Sequence, residues 1–554
     1  MITGKRSVWW AGLWAAILVH FTFFLIIGMS HHWGYLSSIN DLGTFDQLVW
    51  STLHGNFLQT TINPFETPMI RLGIHFDPIL LLFVPLYALS ASIEWLIIAQ
   101  AAALALAAWP VFLLARHTFQ SEKSGFIWTI VYLMNPFLLS AGSWDFHPVT
   151  LTVPFIALGL LAVVKQNIRM LILSCLFILM CKEHMGLTVI GFGLLWWFHN
   201  RDWKTAFLVA ALGATHLLLV LYFIMPLLSP IGTPVMLGEQ LGQMSRYNWL
   251  GNSLTEVIHT MMTQPDVVWA RVVKMGGIIY WWLLSIPFFF VFPFIGLQFL
   301  LPGLGDLVAN TLSSNPMPKG IWSYHSAGLI PVITAAAMHG VERITRWQTT
   351  FSAQGLAGLI VASSLVTGYF FLPLPLTGAI NYWAPNHVLS WPNPNVQMVR
   401  SALGSSTSLS IQANIGAHFT QRQSIYLYPA KVGEVDAIVL HLASPTTNIN
   451  FPPEQRPDTL KNHHITWLDG HLQMDRTEYL ASIESLLDNK EYGILLWNDP
   501  WLVLSKTATS HQPEGVKSKI RQLREEWDIE PTEYRNTLDK HWQDDYSISK
   551  KKMR

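Results

Sequence analysis

Long apolar runs separated by short basic loops fill the first two thirds of this chain. A run must reach about 20 residues, with roughly 17–25 tolerated, to cross a bilayer as a helix. Such runs fall near residues 8–29, 93–115, 125–142, 149–165, 168–182, 185–199, 205–229, 274–291, 293–311, 325–341 and 353–373. They predict about eleven membrane-spanning helices. Pro78 to Ser92 is also apolar but too short for a full crossing, and reads as a helix lying in the interface or dipping into it.

The basic residues orient these helices. Lys5 and Arg6, Arg116 to Lys123, Lys165 to Arg169, Arg201 to Lys204 and Arg343 to Arg346 all share one side if the count is odd. That side is the cytoplasm by the positive-inside rule, which puts the C-terminus outside. The chain therefore divides into a transmembrane domain over 1–373, with a first outer loop at 31–77, and an extracytoplasmic domain over 374–514. Residues 515–554 form a charged tail, read as a solvated helix.

Past Leu374 the pattern changes. Pro373, Pro375, Pro385, Pro392 and Pro394 mark a linker. Short β-rich runs follow at Ser408–Ile411, Ser424–Tyr428, Ala437–Leu440, Gly493–Leu496 and Trp501–Leu504, with helical spacing over Thr477–Asn489. Strands alternating with helical stretches predict a small α/β domain. The fold class is an α-helical polytopic membrane protein with a small C-terminal extracytoplasmic α/β domain.

Composition agrees. Hydrophobic residues make up 51% and charged residues 12%, against roughly twice that charge in soluble domains. The 25 Trp and 30 Phe suit lipid-facing surfaces and interfacial belts. Net charge is zero, so nothing points to nucleic acid. The two cysteines, Cys175 and Cys181, share one apolar segment and form neither a disulfide framework nor a metal cluster. The first run is too long for a signal-peptide core and lacks a small-residue cleavage site, so it is expected to stay as a helix.

The costly polar residues collect on the outer side. The first outer loop carries Asp41, Asp46, Arg71, His75 and Asp77. Apolar residues at 42, 45, 48 and 49 give the Asp41–Trp50 stretch helical periodicity, and five-residue spacing sets Asp41 and Asp46 about 140° apart on a helix. Three more clusters follow: Trp144-Asp145-Phe146-His147-Pro148, Lys182-Glu183-His184 and Ser323-Tyr324-His325-Ser326. A charge in a membrane segment costs about 2.5–3.5 kcal/mol on insertion scales, so such groups usually face a cavity. Four clusters at one level predict a shared outward-facing pocket. Each has a plainer reading: Asp41 or Asp46 as helix caps, Asp77 before Pro78 as a helix start, Lys182 with Glu183 as an intramembrane ion pair. No nucleotide-binding, HExxH or GxSxG signature is present.

The order of these motifs is familiar. An acidic outer loop, His-Phe-Asp-Pro-Ile-Leu at 75–80, Trp-Asp-Phe-His-Pro at 144–148, Lys-Glu-His at 182–184 and a late Tyr-His at 324–325 resemble a bacterial and archaeal membrane-protein family of unknown function. The resemblance covers roughly residues 8–440, including Gln421 to Pro429. That family is more distantly similar to the GT-C glycosyltransferases, which use polyprenyl-phosphate-linked sugars. The resemblance implies a GT-C-like helix bundle, an inverting transfer and an acidic residue in the first outer loop. Asp41, then Asp46, matches that place, although no adjacent pair of acidic residues occurs there.

The expected reaction is sugar transfer from a polyprenyl-phosphate donor, with membrane lipid as the surrounding partner. A carboxylate takes the acceptor's proton, and cations stabilise the departing phosphate. Arg71, His75 and Lys182 are expected at the phosphate, and Asp77, Tyr324 and His325 at the bound substrate. Asp145, His147 and Glu183 are expected to hold sugar hydroxyls or a divalent metal ion. The alternatives are a transporter or flippase of a lipid-linked solute, with Lys182 and Glu183 in its pathway, and a non-enzymatic assembly factor. Against transport, no inverted repeat is detectable.

Overall fold

Inside a bilayer the backbone has no water to bond, so an apolar run crosses only as a helix that satisfies itself. The computed structural model describes residues 7–237, 244–321, 323–372, 389–444, 468–489, 491–510 and 512–552. Lys5, Arg6, Pro373, Pro375 and Pro385 lie outside them. The chain forms two compact units, residues 1–28, 69–86 and 94–384 in one, and 29–68, 87–93 and 385–554 in the other.

The first unit is helical. Among the described residues, four continuous helices are long and apolar enough to cross a membrane. They are α1 (Val8–Trp33), the joined pair α3 (Glu94–Leu106) and α4 (Ala108–Phe119), α10 (Trp203–Leu219) extended to Leu228, and α16 (Ala353–Phe371). Two further pairs reach that length but bend. Helices α5 (Glu122–Leu133) and α6 (Pro136–Gly142) meet at 58°. Pro136 cannot continue a helix, and the Asn135 side chain turns to cap Phe137 instead. Helix α11 (Pro265–Lys274) meets α12 (Gly277–Ser285), extended to Phe288, at 64°, where Gly276 takes a left-handed φ of 79°.

The expected spans at 149–165, 168–182 and 185–199 are α7 (Thr152–Val164, preceded by a 3-10 turn at 148–151), α8 (Ile168–Leu179) and α9 (Met185–Asn200). At 12 to 16 residues they are shorter than a full crossing. By length and composition, four helices among the described residues reach a crossing, or up to six if each bent pair is one span, against the eleven expected runs. The expected span at 293–311 is likewise not one helix. Pro293, Gly296, Pro302 and Gly303 break it into α13 (Val291–Ile295), a 3-10 stretch and α14 (Leu304–Leu312). Helix α15 (Leu329–Trp347) follows. Pro78–Phe83 is a 3-10 turn leading into a helix at Val84–Leu89, too short to cross, as the sequence suggested.

In the second unit five strands form a mixed sheet: β1 (Leu409–Ile411), β2 (Ile425–Leu427), β3 (Ala437–His441), β4 (Gly493–Asn498) and β5 (Trp501–Ser505). Their order is β2-β1-β3-β5-β4, with β1 parallel to β2 and β3, and β5 antiparallel to β3 and β4. Each expected strand is present within two residues. Strand β3 is buried along its whole length, as central strands covered on both faces are. Ile438 and Leu440 pack with α17 (Arg476–Asn489) and α18 (Glu514–Glu526). The alternate Ala437 and Val439 share a cluster with Tyr35, Ile39 and Ile62. The segment around residues 35–62, expected as a loop of the transmembrane domain, therefore covers the second face of this sheet. Its amphipathic stretch forms a π-helical turn at Ile39–Gly43 and then α2 (Thr44–Leu53).

In the first unit, α13 and α15 meet through glycines. A Cβ on Gly340 would lie 2.0 Å from the Phe292 carbonyl oxygen, and one on Gly296 2.0 Å from that of Ala336. Small residues permit such backbone approach between membrane helices. Gly340→Ala is expected to lower the apparent unfolding temperature in detergent, with an overpacking cost of about 1–3 kcal/mol. Gly358→Ala, whose Cβ would meet nothing within 4 Å, should leave it unchanged or raised.

Candidate functional site

Within the first unit, the polar clusters sit at helix ends. Helix α8 stops at Leu179 and α9 starts at Met185, so Lys182, Glu183 and His184 occupy the turn between them. The segment after the 3-10 turn Arg71–Gly73 docks on this turn. His75 Nδ1 lies 3.0 Å from Glu183 Oε1, the Phe76 amide donates to Glu183 Oε2 at 3.1 Å, and the Ile79 amide donates to the Met180 carbonyl at 2.9 Å. Arg71 Nε stands 3.6 Å from Asp77 Oδ2. The charges of Glu183, Arg71, Asp77 and Arg246 all act on Lys182. His184 pairs with Asp306 of α14 at 3.3 Å.

Gln100 of α3 shapes the second part. Its Nε2 donates to the Trp144 carbonyl at 2.7 Å, while its Oε1 accepts from the His147 amide at 3.1 Å and from Thr150 Oγ1 at 3.0 Å. His147 is thereby presented to Tyr324, whose ring stacks on it at 3.6 Å between centroids. Tyr324 also stacks on His325 at 4.4 Å and lies 6.2 Å from Trp144. His147 Nδ1 is 3.0 Å from the Asp145 carbonyl oxygen. His325 closes the circuit, since Lys182, His147, Arg246 and His184 are near enough for their charges to act on it. Arg71, His75, Asp77, Lys182, Glu183, His147, Tyr324 and His325 are thus gathered as expected, and Asp145 joins them through its backbone.

Arg71, Lys182 and Arg246 gather near the carboxylates Asp77 and Glu183, with Asp306 beside His184. Among the described residues, neither Lys182 Nζ nor the Arg246 guanidinium has a hydrogen bond or ion pair, and Arg246 Nε is buried without a partner. Burial would raise the Glu183 pKa, but the charge and hydrogen bond of His75, with Lys182 and His184, hold it well below the usual range. Burial, then Lys182, lowers His75 to about 3, against the pull of Glu183. Burial raises Asp77 to about 6 despite Arg71. At neutral pH His75 is therefore neutral and Glu183 ionised. Among the described residues no three His, Cys, Asp or Glu side chains gather as metal ligands.

The first-loop carboxylates belong to the second unit. Asp46 is 1% exposed and accepts hydrogen bonds from Tyr87 Oη at 2.8 Å, Thr420 Oγ1 at 2.6 Å and Gln421 Nε2 at 3.1 Å. Burial raises its pKa, opposed by those bonds and by Arg400. Its neighbour Gln47 donates to Thr61 Oγ1 and the Arg422 carbonyl and accepts from Thr60 Oγ1. Asp41, in the turn before α2, keeps part of its surface exposed.

Sequence reasoning missed Gln100, Arg246 and Asp306. Gln100 had a signal, a lone amide in the apolar run from Trp95 to Leu106. Arg246 lies in a polar connection with no local pattern to single it out.

A family model described as "Predicted membrane protein (DUF2079)" matches residues 31–466. The chain belongs to this family. Its match runs from the first outer loop through the helices into the sheet domain, in keeping with the resemblance read from the motifs. No curated protein matches the DUF2079 chain. Among solved structures it is similar to "ArnT from Cupriavidus metallidurans bound to Undecaprenyl phosphate", at 12% identity and a TM-score of 0.47, over 91% of this chain and 99% of that one.

Glu183 is the carboxylate on which the cluster turns. Glu183→Ala removes both hydrogen bonds of the carboxylate and the negative charge nearest Lys182, and is expected to destabilise the protein by about 1–3 kcal/mol, the cost of leaving buried polar groups unanswered. His75→Ala removes only a neutral ring and should cost less. Thermal unfolding of the two variants in the same detergent orders them.

Proposed function

We propose that this DUF2079 protein transfers a sugar from a polyprenyl-phosphate donor to an acceptor at the extracytoplasmic membrane surface. One observation carries the reading: three cations converge at the ends of apolar helices, and two of them have no anionic partner among the described residues. A polyprenyl-phosphate sugar is a phosphodiester with one negative charge. Breaking its sugar–oxygen bond leaves a phosphate monoester whose charge approaches two at pH 7. Fixed cations stabilise that developing charge more than the ground state, which is what lowers the barrier. Arg71, Lys182 and Arg246 take this role.

The aromatic stack of His147, Tyr324 and His325, with Trp144 beside it, offers flat apolar faces to a sugar ring. Asp145 and His147 then serve the sugar hydroxyls. Of the two first-loop carboxylates, Asp46 serves as an anchor within the second unit.

Helix direction supports an outward site. Helix α9 starts beside Lys182 and ends at Asn200, about 24 Å away at 1.5 Å per residue, next to Arg201. Helix α15 starts just after His325 and ends among Arg343 and Arg346. The site therefore lies at the helix ends away from the basic loops, outside by the positive-inside rule.

The test is binding of undecaprenyl phosphate to protein in nanodiscs. Lys182→Met and Arg246→Gln should each weaken it by about tenfold or more, the loss of one charge-assisted hydrogen bond. Unchanged affinity in both variants would remove the support for a lipid-phosphate donor. For orientation, a cysteine placed at Ser444 should react with an impermeant maleimide in intact cells. Reaction only after lysis would turn the sheet domain to the cytoplasm.

A further inference from the structure

Resting on the lipid-phosphate reading, we infer that His75, oriented by Glu183, accepts the proton of the attacking hydroxyl, in place of a first-loop carboxylate. The geometry assigns the tautomer. An ionised Glu183 can only accept, so Nδ1 of His75, 3.0 Å from Oε1, carries the hydrogen. The lone pair is then on Nε2, which takes no hydrogen bond among the described residues. The Phe76 amide holds the other Glu183 oxygen, so the carboxylate cannot swing away from the ring. This is the arrangement of an acid–base histidine fixed by a carboxylate behind it.

Asp77 is paired with Arg71 and His184 with Asp306, while the Nδ1 of His325 meets the Ser323 hydroxyl, 3.3 Å away, and no carboxylate. His75 instead shares its surroundings with Arg71 and Lys182, two of the cations assigned to the phosphate. Burial, then those charges, disfavours a protonated ring. A bound phosphate offsets the charges and makes the ring more basic when a proton must be taken.

The acceptor oxygen forms a bond to the sugar's anomeric carbon while the bond from that carbon to the phosphate oxygen breaks, its electron pair staying on the phosphate. The hydroxyl proton passes to Nε2, giving an imidazolium held against Glu183, and leaves later to water.

The plainer role for the pair is to tie the segment at 75–79 to the turn before α9. Diethyl pyrocarbonate, which acylates unprotonated imidazole nitrogen, separates the two. Full-length protein in nanodiscs, with and without undecaprenyl phosphate, is treated and the His75 peptide read by mass spectrometry. His75 should be modified, the lipid should slow its modification by about tenfold or more, and Lys182→Met should relieve that protection. H75Q, which keeps a donor for Glu183 but no basic nitrogen, should bind the lipid and unfold at the parent temperature. If the lipid binds yet His75 is unreactive, or reacts equally with and without it, the pair is only a tie and the donor reading stands. If the lipid fails to bind at all, the donor reading falls and this role with it.

Discussion

A carboxylate buried among cations can hold a structure together only if both its oxygens are occupied and its charge is answered. Glu183 meets both conditions. One oxygen takes the His75 ring and the other the Phe76 amide, so a turn between two helices and a segment more than a hundred residues earlier become one object. The rest of the cluster depends on it. Asp77 is positioned to meet Arg71, the chain enters the 3-10 turn at Pro78 already bonded to Met180, and Lys182 keeps a counter-charge without a direct partner. The short apolar stretch from Pro78 starts pinned to this turn.

How much of this was legible in the sequence depends on range. The strands were readable because their apolar residues come in short runs bounded by turn formers, and the helices because apolar runs are long. The pattern failed where apolar character and helix formation part company. At 293–311 two prolines and two glycines sit inside an unbroken hydrophobic run, and the run says nothing of the breaks. The packing of residues 35–62 on the sheet was also invisible, since those contacts reach across some 370 residues and leave no local trace.

The candidate site followed the same rule. Residues costly to bury announced themselves, and those at 71–77, 144–147, 182–184 and 324–325 do come together. What the sequence could not supply was the division between the units. Asp41 and Asp46 stand in the same loop as His75, yet they fold with the sheet, and Asp46 is enclosed by Tyr87, Thr420 and Gln421. Gln100 organises the Trp144–His147 corner from within a membrane helix, and only its isolation could have marked it.

The enclosure of Asp46 bears on how the protein is made. Its hydrogen-bond donors at 420 and 421 are synthesised after the last membrane helix, and Gln47 depends on backbone carbonyls just beyond them. A nascent chain released into the membrane helix by helix therefore carries the loop after its first helix unfinished, with a carboxylate and an amide still bonded to water. The loop matures only when the final domain has been delivered to the same side, so the earliest exposed segment of the chain is among the last to become native.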